Sequence, residues 1–161
     1  MAGRVDFIYG SATAVFDHCE IHSRNGGHIT AASTPPDQPY GFVFLHCKLT
    51  GDPQPWVSPA GTPASPSRQP MADLGRPWRP HASVTYVDCD MGDHIRPAGW
   101  NNWRNPTNEL TARYAEYRSA GPGTNPAARV KWAHPLTDEQ VRNYTVENIL
   151  GGADCWKPDW N

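Results

Sequence analysis

The sequence has no apolar run approaching the roughly 18–20 residues that cross a bilayer, so no membrane-spanning helix is expected. It also lacks a charge excess, with 14 Lys+Arg against 16 Asp+Glu and a formal net charge of −2. A nucleic-acid binder needs a basic stripe to displace counterions from phosphates, so nucleic acid is not an expected partner. Cys-x-x-Cys spacing is missing among Cys19, Cys47, Cys89 and Cys155, which argues against a zinc ribbon or a thioredoxin-type pair. The role of Cys155 is left open. No charged-then-apolar leader precedes Val5, and no export signal is read in these residues. Turn-formers and aromatics are what the chain has in abundance: 14 Gly and 17 Pro in 161 residues, with seven Trp, six Tyr and four Phe. So much Gly and Pro excludes a helical bundle, while the aromatic mass separates the chain from disordered sequences. A single turn-rich, all-β domain is expected.

The cysteines mark a repeat. Val15-Phe16-Asp17-His18-Cys19-Glu20-Ile21 lines up with Val43-Phe44-Leu45-His46-Cys47-Lys48-Leu49 and with Thr85-Tyr86-Val87-Asp88-Cys89-Asp90-Met91. Each copy reads as one strand with period-2 alternation, Cys and the aliphatic residue sharing a face. On that reading Asp17 is an unexplained exception on the inward face. The cysteines are 28 and 42 residues apart, and the longer interval holds Gly51–Pro70, rich in Pro, Ser and Thr, which reads as an exposed inserted loop. With the loop removed the period returns to twenty-odd residues. One strand per repeat completes its hydrogen bonds only with the next repeat, which describes a solenoid, specifically a parallel β-helix with the cysteines buried as a ladder.

Other segments are read more simply. His18 and His22, four strand residues apart, lie roughly 13 Å from each other, too far to share an ion. His18 and His46 stack on neighbouring coils, but the third copy has Asp88 there, and no metal site is expected. Val130-Lys131-Trp132 reads as a last strand. Thr137 with Gln140 reads as a capping box opening a short helix, and Tyr144–Leu150 reads as strand or helix. Residues 133–161 are expected to cap the open end of the solenoid.

Two constellations carry chemistry. Alternation in Val5-Asp6-Phe7-Ile8-Tyr9-Gly10 puts Asp6 and Ile8 on one face, with Val5, Phe7 and Tyr9 on the other. If the aromatic face is inside, Asp6 projects onto the outer wall; its plain alternative is a strand-end carboxylate bonding local backbone. Leu74-Gly75-Arg76-Pro77-Trp78 and Gly99-Trp100-Asn101-Asn102-Trp103 supply an Arg and tryptophans that either stack on a sugar ring or plug the core. An Arg brought to Asp6 would grip the carboxylate as a bidentate fork and keep it ionised, fit to be a nucleophile rather than a proton donor.

These blocks, followed by Tyr114-Ala115-Glu116-Tyr117 and Gly121-Pro122-Gly123, resemble the ordered signatures of pectin methylesterases (pectinesterases) from Val5 to about Trp156. The resemblance implies a right-handed parallel β-helix that hydrolyses methyl esters of polygalacturonate to pectate and methanol without cofactor or metal. It implies Asp6 as nucleophile, Arg76 as the residue holding it, and Trp78, Trp100 and Tyr9 as substrate-cleft aromatics; Tyr9 stands where the family commonly has Phe. An acyl-enzyme on a carboxylate is chemically reasonable because water hydrolyses the anhydride readily.

The family's Gln-Asp-Thr type motif, which carries the general acid/base Asp and an oxyanion Gln, is absent. Acid–base help is worth about 10²–10⁴-fold and an oxyanion donor about 10²–10³-fold. The chain is therefore expected to be a C-terminal portion of the catalytic domain, its N-terminal coils missing and its activity impaired. The partner implied is pectin, met as a monomer, and the intact protein is expected outside the cell or in the periplasm. The alternative from a different class is a non-catalytic polyuronate-binding β-helix.

Overall fold

A computed structural model describes residues 1–52 and 71–151. The chain turns through three parallel sheets in succession. One sheet takes β1 (Ala2–Gly3), β4 (Glu20–Ser23), β7 (Lys48–Gly51) and β10 (Asp90–Met91), paired in that order. A second takes β2 (Ile8–Gly10), β5 (Gly27–Ala32) and β8 (Ala72–Pro77). The third takes β3 (Ala14–Asp17), β6 (Phe42–Leu45), β9 (Ser83–Val87), β11 (Arg113–Tyr117) and β12 (His134–Pro135). Each strand pairs in parallel with its counterpart on a neighbouring coil, one per sheet per turn, and the architecture is a parallel β-helix. No helix among the described residues is long and apolar enough to cross a membrane.

The three-copy repeat is the stacking register itself: Val15 pairs with Val43 and Val43 with Thr85, Phe16 with Phe44 and Phe44 with Tyr86. Ile21 pairs with Leu49, and Leu49 with Met91. In-register parallel pairing puts like residues directly above one another, so the interior fills with ladders. Phe16, Phe44 and Tyr86 stack at 4.7 and 4.4 Å between ring centroids, and Cys47 and Cys89 are buried beside Leu49 and Met91. The thiols of Cys19, Cys47 and Cys89 are free and donate to the carbonyl oxygen two residues back at 3.3–3.4 Å. A hydrogen bond with Cys47, helped by burial, pushes the Cys89 thiol far above its ordinary range, leaving an inert packing group.

The repeat is not one straight strand. His18, His46, Asp88 and Arg118 all adopt left-handed backbone, φ 46–51°, at the same corner of successive coils. That corner resets the alternation. Phe16 and Cys19 both point inward, while Val15, Val43, Leu45 and Val87 point outward, and Asp17 shares the outward column through its pairing with Leu45. The inward Asp17 of the continuous-strand reading is thus corrected.

The outward aliphatics are covered. Thr137 and Gln140 form the expected capping box of α1 (Asp138–Val141), and Thr145 caps α2 (Val146–Leu150), settling that segment as helix. Val146 and Ile149 of α2 pack on Val43, Leu45 and Val87. The helices therefore lie along a flank rather than over the open end, where Val130, Trp132 and Ala133 meet the interior cluster instead. Val130-Lys131-Trp132 is turn, not strand; the last strand is β12. The stretch expected to be an inserted loop lies outside the described residues from 53 to 70, as do the last ten residues, Cys155 among them.

Candidate active site

The face of the β2–β5–β8 sheet that looks away from the interior carries the site. Asp6 adopts φ 50°, a conformation for which Asp is among the most tolerant side-chain-bearing residues. Its N–H donates to the His28 carbonyl at 2.7 Å, pinning this corner to the coil above. The corner reverses the parity read from the sequence, so that Ile8 is buried and Tyr9 is 68% exposed. Arg76 comes from β8, where Ala31 separates it from Tyr9 in the register Tyr9–Ala31–Arg76. Its neighbour Gly75 is required by packing, since a Cβ there would lie 2.0 Å from Thr30 Oγ1 on β5.

The Arg76 fork closes on Asp6: Nε donates to Oδ1 at 3.1 Å and Nη2 to Oδ2 at 2.5 Å, with both side chains about a quarter exposed. Seventy residues of sequence are spanned by this contact. A bidentate guanidinium leaves each carboxylate oxygen one further lone pair, so Asp6 is oriented without being blocked. Among the described residues, Arg76 is the only side chain that donates a hydrogen bond to the Asp6 carboxylate.

Below the guanidinium lies a residue that sequence reasoning missed. Arg76 Cζ is 3.7 Å from the centroid of Trp103, a cation–π geometry that fixes the guanidinium plane. Trp103 is itself held in left-handed backbone, φ 60°, with its N–H on Asn101 Oδ1 at 2.8 Å. Asn102 anchors the loop by donating to Glu109 Oε1 at 2.7 Å and accepting the Arg104 N–H at 2.9 Å. The Gly99–Trp103 block carries both tryptophans, and nothing local in it distinguishes the one that meets Arg76 from the one that turns inward.

Trp100 goes elsewhere. It is 2% exposed and continues the interior aromatic column, 4.4 Å from Tyr114 and 5.9 Å from Tyr86. Its indole N–H donates to Glu116 Oε1 at 3.3 Å, and Arg129 grips that carboxylate at 2.8 and 3.1 Å. The expectation that Trp100 is a cleft aromatic gives way to a core role, because backbone pairing with Gly75 places it on the inward side of a fourth rung. Trp78 stays out, 41% exposed, with Tyr9 edge-on to it at 6.1 Å. A carboxylate gripped by an Arg, on a wall that also exposes two aromatic rings, can present an oxygen nucleophile to an ester attached to a sugar stacked there.

The sequence profile of the pectinesterase family matches residues 1–153. The chain belongs to the pectinesterase family. It is 38% identical over 149 residues to pectinesterase 31 of Arabidopsis thaliana, covering 92% of this chain and 43% of that relative. Among solved structures it resembles the pectin methylesterase from carrot, at 26% identity and a TM-score of 0.79 over 95% of this chain and 48% of that one. It also resembles a pectin methylesterase in complex with a hexasaccharide, at 27% identity and a TM-score of 0.74 over 99% of this chain and 50% of that one. The chain thus spans between 43% and 50% of the length of these three relatives. The family and the parallel β-helix agree with what the repeats and signature blocks led one to expect.

Proposed function

We propose that this pectinesterase-family chain acts on methyl-esterified polygalacturonate, outside the cell or in the periplasm, with Asp6 as the nucleophile. The observation that carries the reading is the Arg76 fork on Asp6, about a quarter exposed, with the exposed Tyr9 and Trp78 contributed by the same strand region, on β2 and just past β8. An Asp6 oxygen attacks the ester carbonyl, the bond to the methoxy oxygen breaks, and methoxide takes a proton to leave as methanol. Water then opens the resulting anhydride, returning the Asp6 carboxylate and leaving a galacturonate carboxylate with release of two protons, one of which balances the proton taken by methoxide.

We further infer that residues 1–161 alone run this reaction slowly. Methoxide needs a proton donor, and Asp6 has only an arginine, which does not give up its proton, as side-chain donor among the described residues. Nor does the sequence contain a Gln-Asp-Thr motif. The test is methanol release from methylated pectin by the chain and by Asp6→Asn, alongside binding of both to pectin. The expected result is a slow release that Asp6→Asn abolishes while binding persists. Release unaffected by Asp6→Asn removes Asp6 from the chemistry, and a rate like that of a full-length family member removes the slow-chain reading. Binding with no release from either protein favours a polyuronate-binding solenoid.

A further inference from the structure

At the corners that join β3 to β4 and β6 to β7, two imidazoles and one carboxylate come together. Asp17 Oδ1 lies 2.8 Å from His18 Nδ1 and 3.1 Å from His46 Nδ1. The three donor atoms lie within 4.8 Å of one another, and the two rings stack at 4.7 Å with 28° between their planes. We propose that Asp17, His18 and His46 bind one first-row divalent transition-metal ion, of which Zn²⁺ is the representative.

The arrangement is built by the backbone rather than by chance rotamers. The parallel pairing of β3 with β6 puts Asp17 beside Leu45, and the residues that follow, His18 and His46, share left-handed φ values of 50° and 51°. Each corner is tied down by its own N–H, from His18 to the Leu45 carbonyl and from His46 to the Val87 carbonyl, both at 3.0 Å. Two ring nitrogens on adjacent coils therefore approach the same carboxylate oxygen. Bond lengths of about 2.0–2.2 Å to zinc put tetrahedral donors about 3.3 Å apart, a few tenths of an ångström beyond the two His–Asp separations, so the carboxylate draws back and the exposed rings turn to bring their Nδ1 lone pairs onto the ion. On metal binding each neutral ring carries its hydrogen on Nε2 and gives the Nδ1 lone pair to the ion. Imidazole nitrogen with one carboxylate suits Zn²⁺, Ni²⁺ or Cu²⁺ and not Ca²⁺ or Mg²⁺, which prefer all-oxygen sites. The His18 and His46 side chains are 73% and 49% exposed, which leaves room for water as the remaining ligand. The expectation of no metal rested on Asp88 standing in the third copy where a histidine would continue the ladder; the residue that joins the two imidazoles is Asp17, turned outward by the corner.

The site is independent of the ester chemistry, and it is tested without it. The full chain is titrated with zinc chloride by calorimetry while the ring nitrogens are followed by ¹H–¹⁵N NMR. One equivalent is expected to move the Nδ1 resonances of His18 and His46 together and to raise the melting temperature. His18→Ala and His46→Ala are each expected to weaken binding by at least about tenfold, with a smaller loss for Asp17→Asn, because the amide oxygen keeps a neutral, weaker ligand where the carboxylate stood. His22→Ala, which alters a separate His22–Asp52 pair, is expected to leave affinity unchanged. Binding that survives both His18→Ala and His46→Ala, ring resonances that stay put on saturation, or no binding at millimolar zinc would each overturn the proposal. The NMR readout on the unaltered chain decides the matter even if a variant fails to fold.

Discussion

Two outer walls of the same solenoid meet opposite fates. The wall of β3, β6 and β9 presents Val43, Leu45 and Val87 and is covered by Val146 and Ile149 of α2. The wall of β2, β5 and β8 presents Tyr9, Ala31 and Arg76, and Tyr9 remains in water. Inside, both walls rest on the same interior cluster of Ile8, Phe44, Leu74 and Tyr86. A three-sheet coil therefore separates folding from chemistry cleanly. Inward residues hold the stack together, while outward residues are free to seat a helix or to form the proposed catalytic face.

That division fixes where substitutions act. On the covered wall, Ile149→Ala empties a buried position that seats α2 and is expected to cost about 2–3 kcal/mol of unfolding free energy, read from urea denaturation. Pectin binding should be untouched. A loss below about 0.5 kcal/mol, the range of ordinary surface changes, would mean that the helix is a loose appendage rather than part of the fold.

On the open wall, Trp103 is the sharper probe, because it supports Arg76 from below without touching Asp6 in any recorded hydrogen bond. A double-mutant cycle of Trp103→Leu with Arg76→Met is expected to return a coupling of about 0.5–1 kcal/mol, the scale of a partly exposed cation–π pair. Trp103→Phe, which keeps a ring, should recover most of it. A coupling indistinguishable from zero would make Trp103 a neighbour of Arg76 and not its support.

How much of this was legible beforehand depends on which direction the information ran. Residues stacked by parallel register resemble one another, so Phe16, Phe44 and Tyr86 announced their pairing, and with it the β-helix. The corners did not announce themselves. His18, His46 and Asp6 are residue types that tolerate left-handed backbone yet also sit in strands, so alternation ran straight through them and misplaced Asp17, Ile8 and Tyr9. The Asp6–Arg76 contact joins distant residues by way of β5, and no local pattern encodes such a distance; only the resemblance of the surrounding blocks to a family paired them. Trp100 and Trp103 sit three residues apart in one motif, and what parts them is the rung that Trp100 adds beside Gly75, which turns the first inward and leaves the second beside Arg76.

The smallest expected stability effect tests the comparison from its other side. Tyr9 projects from β2 beside Trp78, and its only aromatic contact among the described residues is that edge-on pair at 6.1 Å. Tyr9→Ala should shift unfolding free energy by less than about 0.5 kcal/mol, because little is buried and no core contact is lost. Affinity for a methylated oligogalacturonide should nonetheless weaken about threefold to tenfold, the equivalent of about 0.7–1.4 kcal/mol from a lost ring face. Isothermal titration beside a denaturation curve reads both numbers on one protein. If Tyr9→Ala instead destabilised the fold as Ile149→Ala is expected to, the open wall would be a packing surface awaiting a cover, and the division of labour between the two walls would fail.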